Sequence, residues 1–125
     1  MSHSYFRIAF VMLSKKHKLP IQHFIGVRPQ QTVRSPYFTL KIFSTTLLYS
    51  RFGVVISKKV FAKATQRNQL KRLFFGHIQG IISKLPKADY LFIFSPVVAK
   101  LEKEEVGNEM DKILNPNAKD QISNQ

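Results

Sequence analysis

The chain reads as a single α+β domain, a small mixed β-sheet packed by helices, and three features predict it. Tyr37 to Ser44 alternates apolar and mixed positions, with Phe38, Leu40 and Ile42 on one side, which is the period of a half-buried strand. Two further apolar runs, Arg51 to Ser57 and Asp89 to Ser95, flank a stretch in which Leu70, Leu73, Phe74, Ile78 and Ile81 recur at helical spacing; that order is a strand, helix, strand unit. Finally, 125 residues with 44% hydrophobic content and eleven phenylalanines suit one modest core.

The elements follow in chain order. Residues 1–14 read as an N-terminal extension: Ile8 to Leu13 is apolar but too short to span a bilayer, and Lys15-Lys16-His17-Lys18 follows where a cleavage site would have to lie. The domain proper is placed at 15–114. Leu19, Ile21, Phe24, Ile25 and Val27 predict a short helix with Pro20 in its first turn. Arg28 to Gln31 reads as a loop, and Pro36 marks the entry to the strand at 37–44. On that strand the face opposite the core carries Tyr37, Thr39, Lys41 and Phe43, a mixture of rings, a hydroxyl and a cation that suits stacking of unpaired bases and also occurs in strands that bind nothing. Thr45 to Ser50 turns the chain into the return strand 51–57, where Gly53 leaves room for close backbone approach. A helix is predicted from Thr65 to Lys84. Asp89 to Ser95 is apolar enough for a central strand covered on both sides. A closing helix spans Ala99 to Leu114, with Glu102, Glu104, Glu105 and Glu109 on a surface expected to face away from any polyanion. Residues 115–125 read as a mobile polar tail.

Charge is the feature with functional content. The net charge is +13, and all seven acidic residues lie from Asp89 onward, so residues 1–88 form a one-signed surface. Such a field repels itself and is relieved by a polyanion, the electrostatic footprint of a nucleic-acid binder. The densest part is Ser57 to Arg72, where six of sixteen residues (Lys58, Lys59, Lys63, Arg67, Lys71 and Arg72) are cationic and none is acidic. Lys63 and Arg67 fall on the apolar side of the helical wheel, so they must lie in or before the first turn. There, free backbone N–H groups and the helix dipole also favour a phosphate. A solvated basic helix face is the bland alternative.

Ser57-Lys58-Lys59, a short basic connector and Arg67-Asn68-Gln69-Leu70-Lys71-Arg72 at the opening of a helix resemble the protein component of bacterial ribonuclease P, and the resemblance covers about residues 15–114. In that family an arginine is usual at position 69 and a further basic residue at 75, where this chain has Gln69 and Phe75. The resemblance implies a single-domain sandwich like the second domain of a small-subunit ribosomal protein, with a left-handed crossover between the strands at 51–57 and 89–95. It implies RNA-binding by Lys58, Lys59, Lys63, Arg67, Asn68, Lys71 and Arg72, and a cleft for the single-stranded 5′ leader of precursor tRNA at Phe24, Tyr37, Thr39 and Lys41. Arg28 stands where the family has a second aromatic of that cleft. The partners implied are the ribonuclease P RNA and the leader, with no protein partner or membrane and with a cytoplasmic location. Mg²⁺ would serve the RNA subunit, which performs the hydrolysis.

The residues themselves exclude several classes. Without cysteine there is neither a disulfide nor a thiolate metal site, and His3, His17, His23 and His77 lack ligand spacing, so no metal held by protein side chains is expected; His77 reads as a core-edge histidine. No catalytic carboxylate pair or Cys/His dyad is present, which sets a protein-only nuclease aside. A structural RNA-binding protein such as a ribosomal component is the alternative that the same charge would serve.

Overall fold

The computed structural model describes residues 13–114. Four strands, β1 (Gln31–Arg34), β2 (Phe38–Phe43), β3 (Arg51–Val55) and β4 (Asp89–Phe94), form one mixed sheet with the order β1-β2-β4-β3. Helix α1 (Ala64–Ile81) joins β3 to its parallel neighbour β4, and α2 (Lys103–Leu114) closes the described chain. The α+β class and the central position of β4 agree with the sequence reading. The expectations for the extension and the tail fall on residues 1–12 and 115–125, outside the described residues. Ordered packing nevertheless reaches back to Leu13, which is buried in the core two residues before the expected domain boundary.

Five elements differ from expectation. The segment read as a loop at Gln31 is the start of β1, which pairs antiparallel with β2 through Val33↔Leu40; its four residues bury only Val33, too little pattern to announce a strand. The return strand does not lie beside β2. β4 comes between them, because its Tyr90-Leu91-Phe92-Ile93-Phe94 run needs cover on both faces and partners on both edges, antiparallel to β2 and parallel to β3. The closing helix is two pieces, a 3₁₀ turn at Pro96–Lys100 and then α2, and the Glu102 N–H at the restart is capped by Glu105 Oε1 at 2.8 Å. Likewise α1 ends at Ile81 and its last predicted turn is the 3₁₀ segment Ile82–Lys84. Pro20 precedes the turn of the short 3₁₀ helix Ile21–Phe24 rather than lying within it.

Strand alternation sorts the side chains into two clusters. Phe38, Leu40, Phe52, Val54, Tyr90, Phe92 and Phe94 face the helices, where they meet Leu70, Phe74 and Ile78 of α1 and Val106, Met110, Ile113 and Leu114 of α2. The other face is thinner: Phe43 and Leu91 are buried beneath Leu19, with Ile21, Phe24, Val55 and Ile93 half-covered around them. Gly53 makes this second layer possible, since a Cβ there would stand 3.1 Å from both Leu19 Cβ and Ile21 Cγ1.

Candidate nucleic-acid interface

The basic run divides between a connector and the first turns of α1. Past the end of β3, buried Ile56 and Val60 anchor the connector, and a turn between them, closed by Val60 N–H to Ser57 O at 3.0 Å and Lys59 N–H to Ser57 Oγ at 3.2 Å, lifts Lys58 and Lys59 into solvent. Lys63 is the exposed residue immediately before the helix, where no side chain caps the N–H groups and no acid occupies the first turn. Arg67 lies in that first turn and is half-buried. Its Nη1 donates to the carbonyls of Phe61 (2.9 Å) and Ala62 (2.8 Å), tying the connector to the helix through one of the guanidinium's three nitrogens. Asn68, Lys71 and Arg72 are exposed further along.

Among the described residues the ion pairs are Arg51–Asp89 and Lys112–Glu109, with Asp111 hydrogen-bonded to His77, so none of the six cations from Lys58 to Arg72 is neutralised by an acid. The acids gather elsewhere, with Glu105, Glu109 and Asp111 along the outer surface of α2. At the two positions without the family cations the surroundings differ. Gln69 lines a groove of about 410 Å³ between α1 and the start of α2 that Arg72 and Lys103 also line. Phe75 is half-buried against the core, with the Lys18 ammonium 5.2 Å from its ring centroid.

On the opposite face of the sheet, Phe24 ends its 3₁₀ turn half-buried, edge-on to Phe43 with ring centroids 4.9 Å apart. Thr39 and Lys41 alternate with the core positions of β2 and therefore share this face, both half-exposed. Tyr37 is separate: it precedes β2 and packs its ring against the helix-side core, 6.3 Å from Phe38. The geometry therefore brings Phe24, Thr39 and Lys41 to one face and sets Tyr37 at the boundary of the other.

One contributor to this face escaped the sequence reading. Arg51 stands 5.5 Å from the Phe24 ring and grips Asp89 with two bonds, Nε to Oδ1 at 2.9 Å and Nη2 to Oδ2 at 2.8 Å. That hydrogen bond pushes the arginine's pKa above its ordinary value in spite of burial. Only the parallel register Arg51↔Asp89 brings the pair together across 38 residues of sequence, and the sole hint in the sequence is an acid at the head of an apolar strand. His77 bonds Asp111 Oδ1 at 2.7 Å across the two helices, in keeping with a core-edge role. Among the described residues no group of three or more His, Asp or Glu could hold a metal ion, and no helix is long and apolar enough to cross a membrane.

The chain matches the ribonuclease P family model over residues 7–117. It is 32% identical over 83 residues to the ribonuclease P protein component of a Pseudanabaena species, covering 65% of this chain and 72% of that protein. To the Nitratiruptor protein of the same name it is 38% identical over 80 residues, covering 64% and 71%. The ribonuclease P protein from Thermotoga maritima, solved with 1-(4-fluorophenyl)-2-thiourea, shares the fold with a TM-score of 0.73 at 23% identity, over 79% of this chain and 98% of that one. The Staphylococcus aureus protein does so with a TM-score of 0.67 at 17% identity, over 82% and 90%. The family match spans the whole domain and the fold agrees with it: this chain belongs to the bacterial ribonuclease P protein family, the protein component of a ribonucleoprotein enzyme.

Proposed function

We propose that this protein binds the catalytic RNA of ribonuclease P through the connector and the first turns of α1, and holds the 5′ leader of precursor tRNA on the Phe24 face. The observation that carries the reading is the strip of six cations, Lys58, Lys59, Lys63, Arg67, Lys71 and Arg72, which have no acid partner among the described residues and lie beside an uncapped helix N-terminus. Phosphate oxygens would meet both side-chain charge and free N–H groups there. Asn68 adds an amide able to donate and accept in the same row. Arg67 would contribute while bound to its own connector, so it fixes the loop's shape and offers its remaining donors.

On the other face, Phe24 offers a ring for a base, and Thr39 and Lys41 offer a hydroxyl and a cation to the backbone of a single strand. Tyr37, set apart from them, would meet only a strand that crosses the end of β2. The chemistry belongs to the RNA subunit with its Mg²⁺; the protein's part is to neutralise phosphates that otherwise repel one another and to hold the leader.

Reconstitution tests this directly. With the ribonuclease P RNA of the same organism, the protein should lower the Mg²⁺ needed for leader removal and bind precursor tRNA more tightly than mature tRNA. Replacing Lys59, Lys71 or Arg72 by Ala should reduce the slope of log affinity against log salt by roughly one ion each. Phe24→Ala should leave that slope alone and cost on the order of 1 to 3 kcal/mol for precursor tRNA only. Slopes unchanged by every cationic replacement would show a merely solvated helix face.

A further inference from the structure

The exposed flank of α1 changes character at Phe75. Lys71 and Arg72 are exposed cations, and the next turn presents a half-buried ring instead. That ring carries a charge from elsewhere in the chain, because Lys18 Nζ stands 5.2 Å from its centroid. Lys18 forms a parallel bridge with Phe52 at the open edge of β3, held by Leu19 N–H to Phe52 O at 2.9 Å and by its own N–H to Lys15 O at 3.0 Å. The rest of the basic turn is fixed as well. His17 Nδ1 bonds Ser50 O at 2.8 Å, and Lys16 Nζ lies 5.2 Å from the Tyr49 ring.

A lysine over a ring near the surface is held by a modest attraction to the ring face. That is enough to favour one placement of a long, mobile side chain, and it leaves the charge in place. The ring occupies one side of the ammonium, so its other donors remain open to an anion. Lys18 is exposed and takes part in none of the ion pairs among the described residues. Residues four apart on a helix are neighbours along one row, so Phe75 follows Lys71 in that row, and the Lys18 charge lies against the Phe75 ring.

We infer that Lys18, seated on Phe75, is a phosphate contact for the RNA and completes the basic row of α1 from a different element. The RNA-binding surface then runs from the helix across to the turn at residues 15–18. This deepens the RNA-binding reading above and rests on it. It also reverses the simple view of Phe75 as a missing cation. Phe75→Arg would bring one charge while expelling another from its seat, so it should leave the salt slope near that of the wild type.

The test uses the full chain and the ribonuclease P RNA of the same organism, with log affinity measured against log salt for Lys18→Ala, Lys71→Ala, Arg72→Ala, Phe75→Leu and the Lys18→Ala/Phe75→Leu pair. Urea midpoints check that each variant folds; Phe75→Leu keeps an apolar side chain against the core. Lys18→Ala should lower the slope by about one ion, and Phe75→Leu should weaken binding only while Lys18 is present. A wild-type slope for Lys18→Ala beside reduced slopes for Lys71→Ala and Arg72→Ala would overturn the inference and leave the RNA-binding reading standing. Equal losses from Phe75→Leu with and without Lys18 would overturn the seat. Wild-type slopes for all three cationic variants would overturn both.

Discussion

Tyr90 sits where core packing and ionisation meet. Its ring stacks on Phe52 with centroids 4.7 Å apart, its hydroxyl donates to the Pro86 carbonyl, and burial pushes its pKa up to about 12. The unfolded chain gives up this proton near pH 10 while the folded chain keeps it, so stability from this group is intact below pH 10 and falls as the pH rises toward 12. The expected loss is about 1.4 kcal/mol per pH unit across that window. Tyr90→Phe should cost roughly 1 kcal/mol at neutral pH for the lost hydrogen bond and remove this part of the alkaline decline. Urea unfolding of both proteins from pH 8 to 11.5 checks it; parallel profiles would contradict the assignment. Arg51 offers a second single-residue experiment. Its partner Asp89 is 2% exposed, so Arg51→Met strands a buried carboxylate and should cost about 3 kcal/mol, whereas Arg51→Met with Asp89→Asn should recover most of it. A double variant no more stable than the single one would mean that the arginine acts mainly through its packing on Phe24.

Elements are placed by positions that have no side chain as well as by those that do. Gly53 admits the segment from Leu19 to Phe24 onto the sheet, and Gly53→Ala would set a methyl 3.1 Å from Leu19 Cβ, an atom too close to the backbone to rotate away. Overpacking of this kind costs about 1 to 3 kcal/mol. If Phe24 holds the leader, the same change should weaken preference for precursor over mature tRNA while the salt slope on the ribonuclease P RNA stays constant; a changed slope with an intact preference would contradict that division of faces. The elements that were legible before folding share strong patterns. β2, β3, β4 and α1 have alternation, apolar runs or helical spacing that their burial reproduces, and Lys63 and Arg67 were placed at the start of α1 by their conflict with its apolar side. What stayed hidden depends on partners distant in sequence. β1 buries one side chain and exists because β2 has a free edge; Phe43 looked available until Phe24 was laid against it; Lys18 and Phe75 meet only because β3 has an edge for residue 18 to join.

At the scale of the molecule, charge segregation gives salt two opposite effects. A net charge of +13, with every acid from Asp89 onward, makes the free protein repel itself over its first two-thirds. Screening relieves this, since the Debye length falls from about 30 Å at 0.01 M to about 10 Å at 0.1 M. Among the described residues the ion pairs Arg51–Asp89 and Lys112–Glu109 are too few to offset this repulsion, and the first is shielded from salt by its burial. The urea midpoint of the free protein should therefore rise between 0.01 and 0.2 M NaCl with an unchanged m-value. Over the same range affinity for RNA should fall steeply, because each phosphate contact releases a condensed counterion. The two measurements also locate the strain: removing one cation of the strip, as in Lys71→Ala, should raise the low-salt midpoint of the free protein and flatten its salt dependence while weakening the complex. A midpoint lower in Lys71→Ala than in wild type at 0.01 M NaCl would show that this cation supports the fold, and that the strip is not held open at a cost in stability for a polyanion to relieve.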